Sequence, residues 1–366
     1  MEEKTTGKKL GVFLAVAYGI PYLMMIALYF GRKAGIDTTS IVNAQMCAPA
    51  AGVALGFLLF NKGEKRVPRF FMFTAVIGFA VMELLGLLCV LCPLKPLVSK
   101  STVQEMFGQK IAIPVMAIDI YNYAGQFLLV VLSILMIVAF IVAGRERRAF
   151  VGISNRNIKR SFAMVGLFFV LYLVKFYASL MINALVTGTM NEVPGLVMAP
   201  FKNPVIILSF FTLPENFILL LFPFFGEEYG WRYFLQGILG RKFGKRAGVL
   251  ILGVAWSLWH LPVDIFYYTE DTIPQMIVAQ LVTCVSASII MGYAYLKTNN
   301  IWVPVAIHFI NNNMIPILSA STDPAILRNQ SITWTAIAVE AVVVLFVYCL
   351  FIFSKTYNGK LQDKVL

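Results

Sequence analysis

Residues 124–143 read AGQFLLVVLSILMIVAFIVA, a run without a charged side chain. A helix needs about 20 such residues to cross the hydrocarbon core of a bilayer. Apolar residues follow one another here instead of alternating with polar ones, so the run does not have the pattern of a membrane β-barrel strand. We therefore interpret it as a membrane-spanning α-helix.

The rest of the chain has the same character. Of its 366 residues, 59% are hydrophobic and 13% are charged, and the mean hydropathy is +0.80. This composition excludes a water-soluble protein. We predict an all-α polytopic membrane protein with about ten transmembrane helices. The predicted spans are residues 10–30, 41–60, 70–92, 116–143, 161–187, 208–240, 247–268, 275–296, 302–318 and 334–354.

The net charge of +12 comes from Lys and Arg residues that lie mainly between the spans, which argues against nucleic-acid binding. The basic groups fall on alternate connections, so the positive-inside rule places both termini in the cytoplasm. With no organelle signal, this pattern fits the plasma membrane of a bacterium. The groups are Lys4, Lys8 and Lys9; Lys62, Lys65, Arg66 and Arg69; Arg145, Arg147, Arg148, Arg156, Lys159 and Arg160; Arg241, Lys242, Lys245 and Arg246; Lys297; and Lys355, Lys360 and Lys364.

The polar chemistry divides the chain into three parts. Residues 1–200 hold N-terminal helices of unassigned role, residues 205–318 hold most of the intramembrane polar groups, and residues 319–366 hold a last helix and a cytoplasmic tail. The ionisable residues elsewhere in the spans are isolated in sequence. We expect them to form interhelical ion pairs, such as Lys175 with Glu83 or Asp119, with a coupling-ion pathway as the alternative.

Five cysteines lie in or beside apolar runs. One pair has CxxC spacing, but no second pair accompanies it, so we expect small hydrophobic residues more than metal or redox ligands. The five are Cys47, Cys89, Cys92, Cys284 and Cys349.

Both histidines of the chain, and an adjacent pair of glutamates, lie inside apolar stretches. An ionisable group at the middle of a membrane costs roughly 2.5–3.5 kcal/mol, so it is kept mainly where it has a partner or a reaction. In Glu227-Glu228-Tyr-Gly-Trp-Arg232, Glu228 and Arg232 are four residues apart and can form an ion pair on one helix face. Glu227 is then available as a general base. The alternative is that one arginine neutralises both carboxylates and only holds helices together.

The two histidines each share a helix face with a second side chain. Trp256 precedes His260 by one turn, and Pro262 frees a backbone carbonyl for the imidazole or for water. His308 precedes Asn312 by one turn, and the adjacent amides need partners inside the membrane. Glu227 and His260 lie equally far from the basic loop 241–246, so we expect them at matching depths.

These three pieces resemble the CPBP family of intramembrane endopeptidases, also called the Abi or CAAX-protease family, which includes the type II prenyl-protein endopeptidase. The family pattern is Glu-Glu-x-x-x-Arg, then aromatic-x-x-x-His, then His-x-x-x-Asn, and here Trp256 stands where Phe is common. The resemblance covers residues 205–318, and the additional N-terminal spans leave the substrate open.

The resemblance implies hydrolysis of a peptide bond in a membrane-associated peptide or a lipidated protein. Glu227 would activate water, His260 would orient that water or protonate the leaving amine, and His308 with Asn312 would stabilise the oxyanion. Glu228, Arg232 and Trp256 would support them. Glu227, His260 and His308 could also form a catalytic Zn²⁺ site, but we favour the metal-free mechanism.

Two other classes of function remain as alternatives. One is a non-catalytic membrane scaffold or bacteriocin-immunity protein with the same fold. The other is a transporter, but the chain has neither an inverted repeat nor a pair of broken helices in corresponding positions.

Overall fold

The computed structural model describes residues 2–95, 97–98, 102–106, 109–113, 117–323 and 326–361. The last residues of the predicted cytoplasmic tail, including Lys364, lie outside this range. The helices are α1 (Glu2–Leu14), α2 (Ile20–Lys33), α3 (Thr39–Phe60), α4 (Arg69–Leu91), α5 (Ile120–Phe150), α6 (Ile158–Thr187), α7 (Val193–Lys202), α8 (Pro204–Phe211), α9 (Leu213–Leu219), α10 (Leu221–Glu228), α11 (Gln236–Lys242), α12 (Lys245–Phe266), α13 (Ile273–Thr298), α14 (Trp302–Leu318) and α15 (Trp334–Val347).

Shorter elements complete the chain. Two π-helical segments, Ala15–Gly19 and Tyr229–Leu235, join α1 to α2 and α10 to α11. Short 3₁₀ turns cover Met190–Glu192, Cys349–Phe353 and Lys355–Tyr357. Between α4 and α5 lie four short strands, β1 (Leu97–Val98), β2 (Thr102–Met106), β3 (Gln109–Ile113) and β4 (Ala117–Ile118). They form two antiparallel ribbons, β1 with β4 and β2 with β3, which the sequence did not predict.

The prediction of an all-α polytopic membrane protein is confirmed. Among the described residues, eight helices are long and apolar enough to cross a membrane, or nine if the bent pair Met190–Lys202 and Pro204–Phe211 is one span. Two of the predicted spans take a different form. The span predicted at 208–240 is divided into α8 to α11, and α14, with 17 residues, is short. Such interrupted backbone is tolerated at membrane depth where neighbouring helices bury it.

The basic connections gather at one end of the helix bundle, which we call the basic end. The Arg66 guanidinium lies 4.4 Å from the centre of the Phe150 ring, Asn157 donates to the Thr298 carbonyl at 2.7 Å, and Lys245 N donates to the Gly359 carbonyl. These contacts join connections that are distant in the sequence. The positive-inside rule predicts that this end faces the cytoplasm.

A different set of connections meets at the opposite end, which we call the distal end. Arg328 forms an ion pair with Asp37 at 2.8 Å, and the backbone N–H of Gln330 donates to the Tyr268 carbonyl at 2.6 Å. The two ends thus separate the basic connections from the others, as the alternation along the sequence predicts.

Helix α3 lies at the centre of the bundle and is rich in small buried residues. A Cβ atom at Gly226 would lie 2.5 Å from the Met46 carbonyl oxygen, and one at Gly230 would overlap Pro49. Only glycine at these two positions lets α10 and the following π-helix approach α3 so closely. This contact positions the segment that carries the paired glutamates.

The isolated ionisable residues do not form the predicted pairs. Lys175 pairs with Glu340 at 2.6 Å, because α6 packs against α15. Ser179 also donates to Glu340, and Asp119 instead caps the first turn of α5 through the Asn122 N–H. Glu83 is buried on α4, and neither of its carboxyl oxygens has a hydrogen-bond partner among the described residues.

All five cysteines are free. Cys47, Cys89 and Cys284 are buried, as expected of small hydrophobic residues, whereas Cys92 is exposed and Cys349 is partly exposed.

Candidate active site

The paired glutamates lie where the backbone changes its helical form. Glu227 and Glu228 end α10, and the π-helix Tyr229–Leu235 begins at the next residue and carries Arg232. π-helical turns are rare and frequently lie at functional sites. The exposed fractions are 2% for Glu227 and 0% for both Glu228 and Arg232. All three polar side chains therefore depend on protein partners.

Glu228 joins two motifs through its two carboxyl oxygens. Oε2 lies 3.1 Å from Arg232 Nε, which is the ion pair that the four-residue spacing predicts. Oε1 lies 2.9 Å from His308 Nδ1 on α14. The sequence does not predict this second contact, because it joins residues 80 positions apart. Glu228 thus fixes both the guanidinium and the imidazole.

Glu227 has a different partner. Its Oε2 atom accepts a hydrogen bond of 2.8 Å from the indole Nε1–H of Trp256 on α12. The same indole ring lies 4.3 Å from the Arg232 guanidinium and 5.6 Å from the His308 ring, centre to centre. Trp256 therefore contacts members of the other two motifs. A phenylalanine at this position could not donate the hydrogen bond to Glu227.

His260 is oriented by its own helix. Its Nδ1 atom lies 2.8 Å from the Trp256 carbonyl oxygen, and its ring lies 4.8 Å from that of Trp259, centre to centre. The prediction that Pro262 frees a carbonyl for the imidazole or for water is wrong. Pro262 does leave the Leu258 carbonyl without its helical donor, but the hydroxyl of Tyr22 on α2 donates to it at 2.7 Å.

The asparagines of α14 are held by local contacts. Asn311 Nδ2 donates to Asn312 Oδ1 at 3.0 Å, and Asn313 donates to the Phe309 carbonyl at 2.9 Å. Because Asn312 Oδ1 is engaged by its neighbour, the amide is oriented and its Nδ2 hydrogens are the part that can donate to another group.

One cavity of about 250 Å³ brings the predicted catalytic residues together. Glu227, His260, His308 and Asn312 all line it. Its walls come from α3, α10, α12, α13 and α14 and from the connection after α14. Four residues from three helices thus face one cavity, as the matching depths predict for Glu227 and His260.

The cavity also has polar lining residues that the sequence analysis did not identify. Gln45 of α3 lines it and donates to the Trp259 carbonyl at 3.0 Å, and Gln280 and Gln330 line its other walls. Gln45 could have been identified from the sequence, because it is an isolated amide in an apolar span. Since the indole of Trp259 also donates to the Ala17 carbonyl at 2.7 Å, the first helices contact the site directly.

A Zn²⁺ site would need ligand atoms of Glu227, His260 and His308 to converge. Within the described part of the chain, no group of three or more His, Cys, Asp or Glu side chains is arranged to hold a metal ion. His308 Nδ1 faces Glu228 and His260 Nδ1 faces a carbonyl oxygen. These contacts engage only the Nδ1 atoms of the two histidines and leave both Nε2 atoms available, as in histidines that bind a metal. The preference for a metal-free mechanism therefore stays a prediction.

Comparison with known proteins gives a family match over part of the chain. Residues 209–314 match the family model described as type II CAAX prenyl endopeptidase Rce1-like. The matched segment contains all three motifs, so the resemblance predicted from the sequence is confirmed there. The match supports a multi-pass membrane protease of the CAAX-protease type. No curated protein and no solved structure matched the chain.

Proposed function

We propose, from the endopeptidase match over residues 209–314, that this protein hydrolyses a peptide bond of a membrane-associated or lipidated peptide or protein. The observation that carries the proposal is the convergence of Glu227, His260, His308 and Asn312 on one cavity inside the matched segment. A bacterial plasma membrane remains the proposed location.

Glu227 is the proposed general base. Trp256 holds one carboxyl oxygen, Oε2, so Oε1 is the atom that accepts a proton from a water in the cavity. The resulting hydroxide oxygen bonds to the substrate carbonyl carbon. The proton held by Glu227 then passes to the amide nitrogen as the carbon–nitrogen bond breaks, which regenerates the carboxylate.

His260 has the geometry to orient the attacking water. When Nδ1–H donates to the Trp256 carbonyl, Nε2 carries the lone pair and accepts a hydrogen bond from the water. His260 lies in the cavity wall with Glu227, so both can contact the same water molecule. To protonate the leaving amine in place of Glu227, Nε2 would first have to accept the proton from the attacking water.

His308 and Asn312 are the proposed oxyanion donors. A His308 protonated on both nitrogens donates Nδ1–H to Glu228 and Nε2–H to the oxyanion, while Arg232 balances the charge of Glu228. Asn312 adds an Nδ2–H, which the contact from Asn311 leaves free to donate. Removing one such donor costs roughly 10²- to 10³-fold in kcat.

The test of the proposal is Glu227→Gln. In purified full-length protein, hydrolysis of a prenylated C-terminal peptide should fall by about 10³-fold or more, because an amide cannot accept the proton from water. The matched control is Glu83→Gln, the same change at a buried carboxyl outside the cavity, which should keep activity. Mass-spectrometric comparison of membrane peptides from cells with either variant would then identify natural substrates. Undiminished hydrolysis by Glu227→Gln would eliminate the mechanism.

Chelation tests the metal-free part separately. Because the proposed mechanism needs only protein side chains and water, dialysis against a strong chelator should leave the rate of peptide hydrolysis unchanged. Loss of hydrolysis on chelation, with recovery on adding Zn²⁺, would replace the glutamate mechanism by a metal mechanism.

A further inference from the structure

A second cavity, which we call the basic cavity, lies at the basic end of the bundle. Its volume is about 720 Å³, against about 250 Å³ for the candidate active site. It lies among the end of α5 and the connection after it, the π-helix with α11, the start of α12, the end of α13 and the C-terminal segment. The volume is within the roughly 300–1,000 Å³ typical of small-molecule sites.

Among the described residues, the charged side chains that line the basic cavity have one sign. Its basic lining residues are Arg156, Arg232, Arg241, Lys245 and Lys360. No aspartate or glutamate is among the lining residues that the structure describes. Cations confined around one partly enclosed space repel each other, and the repulsion is relieved when an anion binds between them.

Arg232 forms the buried part of this wall. Its side chain is fully buried, Nε is paired with Glu228, and Nη2 lies 3.2 Å from the Met291 sulfur. Nη1 is buried without a hydrogen-bond partner in the described part of the chain. A buried guanidinium N–H without an acceptor is costly. Arg232 thus adds a buried positive charge to the wall of the basic cavity.

We propose that the basic cavity binds a phosphate group. Guanidinium groups bind phosphate through paired, charge-assisted hydrogen bonds, and lysines add positive charge. Ser154 and Asn299 supply neutral polar groups in the same wall. Because the cavity opens at the ends of membrane-spanning helices, the phosphate belongs either to a phospholipid headgroup of that leaflet or to a soluble phosphate compound.

The test uses full-length protein and two probes. Inorganic phosphate is titrated into protein in a detergent without phosphate, by calorimetry. In parallel, protein is reconstituted into phosphatidylcholine nanodiscs with or without phosphatidylglycerol, and retained phospholipid is measured by native mass spectrometry. Arg156→Gln with Lys360→Gln removes two cations whose side chains are exposed, so the core stays intact. Binding of at least one probe should weaken by roughly tenfold or more.

The matched control is Arg145→Gln with Arg147→Gln, which removes the same charge from exposed residues near the end of α5 that do not line the cavity. This variant should bind like wild type. Phosphate binding without lipid retention identifies a soluble ligand, and specific lipid retention identifies a headgroup. Absence of binding with both probes, or equal weakening in the control and cavity variants, would overturn the proposal.

Discussion

At the residue scale, the two carboxyl groups of the pair have separate partners. Glu228 is neutralised by Arg232 and bonded to His308, whereas Glu227 is bonded through one oxygen to Trp256. A buried ion pair is weak evidence for stability, because the desolvation of both charges offsets much of their attraction. The arrangement is better explained by the positioning of Glu227 and His308 at the cavity.

The hydrogen bond from Trp256 to Glu227 leads to a prediction about Trp256→Phe. Phenylalanine keeps an aromatic ring next to Arg232 and His308 but lacks the N–H, so Glu227 loses its orientation. We expect kcat for peptide hydrolysis to fall roughly 10- to 100-fold, with little change in KM. This fall corresponds to an activation free energy that is higher by about 1.4–2.7 kcal/mol. The control is Trp334→Phe at an exposed tryptophan on α15. Equal kcat values in both variants would show that the hydrogen bond does not position Glu227.

At the element scale, the segment that carries the glutamates depends on its contact with α3. Gly226 lies against the backbone of Met46 and Cys47, and Gly230 lies against Pro49. Main-chain atoms cannot move aside as the end of a flexible side chain can, so a larger residue must displace a whole helix. The exact placement of α10 is therefore sensitive to single methyl groups.

We predict that Gly226→Ala lowers both stability and activity. Its Cβ would lie 2.5 Å from the Met46 carbonyl oxygen and 2.8 Å from Cys47 Cα. Such overpacking typically costs about 1–3 kcal/mol. The melting temperature in detergent and the rate of peptide hydrolysis should therefore both fall. Gly166→Ala, at a helical glycine with no atom within 4 Å of the added methyl group, should preserve both, and a wild-type result for Gly226→Ala would contradict the packing.

At the scale of the whole molecule, the helices before the matched segment take part in the candidate site. Gln45 lines the cavity, and the Ala17 carbonyl accepts a hydrogen bond from Trp259. The predicted division into N-terminal helices and a protease core describes only where the motifs lie in the sequence. In the folded bundle, α3 belongs to the N-terminal part but forms one wall of the candidate active-site cavity. The orientation of this bundle in the membrane remains a prediction from its two differently charged ends.

That orientation can be tested with thiol labelling in intact cells. Cys92 is exposed, and its carbonyl accepts a hydrogen bond from Tyr121 near the start of α5, at the distal end. We expect a membrane-impermeant maleimide to label Cys92 from outside the cell. Asn358→Cys in a Cys92→Ser background should react only after permeabilisation, because residue 358 lies at the basic end. Labelling of Asn358→Cys in intact cells would reverse the predicted topology.

The sequence by itself determined the features that depend on neighbouring residues. Hydropathy over one helix length predicts the membrane spans, and four-residue spacing predicts the pair of Glu228 with Arg232, because both are properties of a single helix. The motif order also predicts which side chains meet at the cavity. These features need no knowledge of how the helices pack.

Only the tertiary structure decided the contacts between helices. It paired Glu228 with His308, Trp256 with Glu227 and Lys175 with Glu340, and it divided the span predicted at 208–240. In a membrane, many apolar helix faces are equally compatible with lipid, so the choice of neighbours depends on close packing and on the few polar groups that must be satisfied. A hydropathy pattern does not contain this information, because it describes each helix alone.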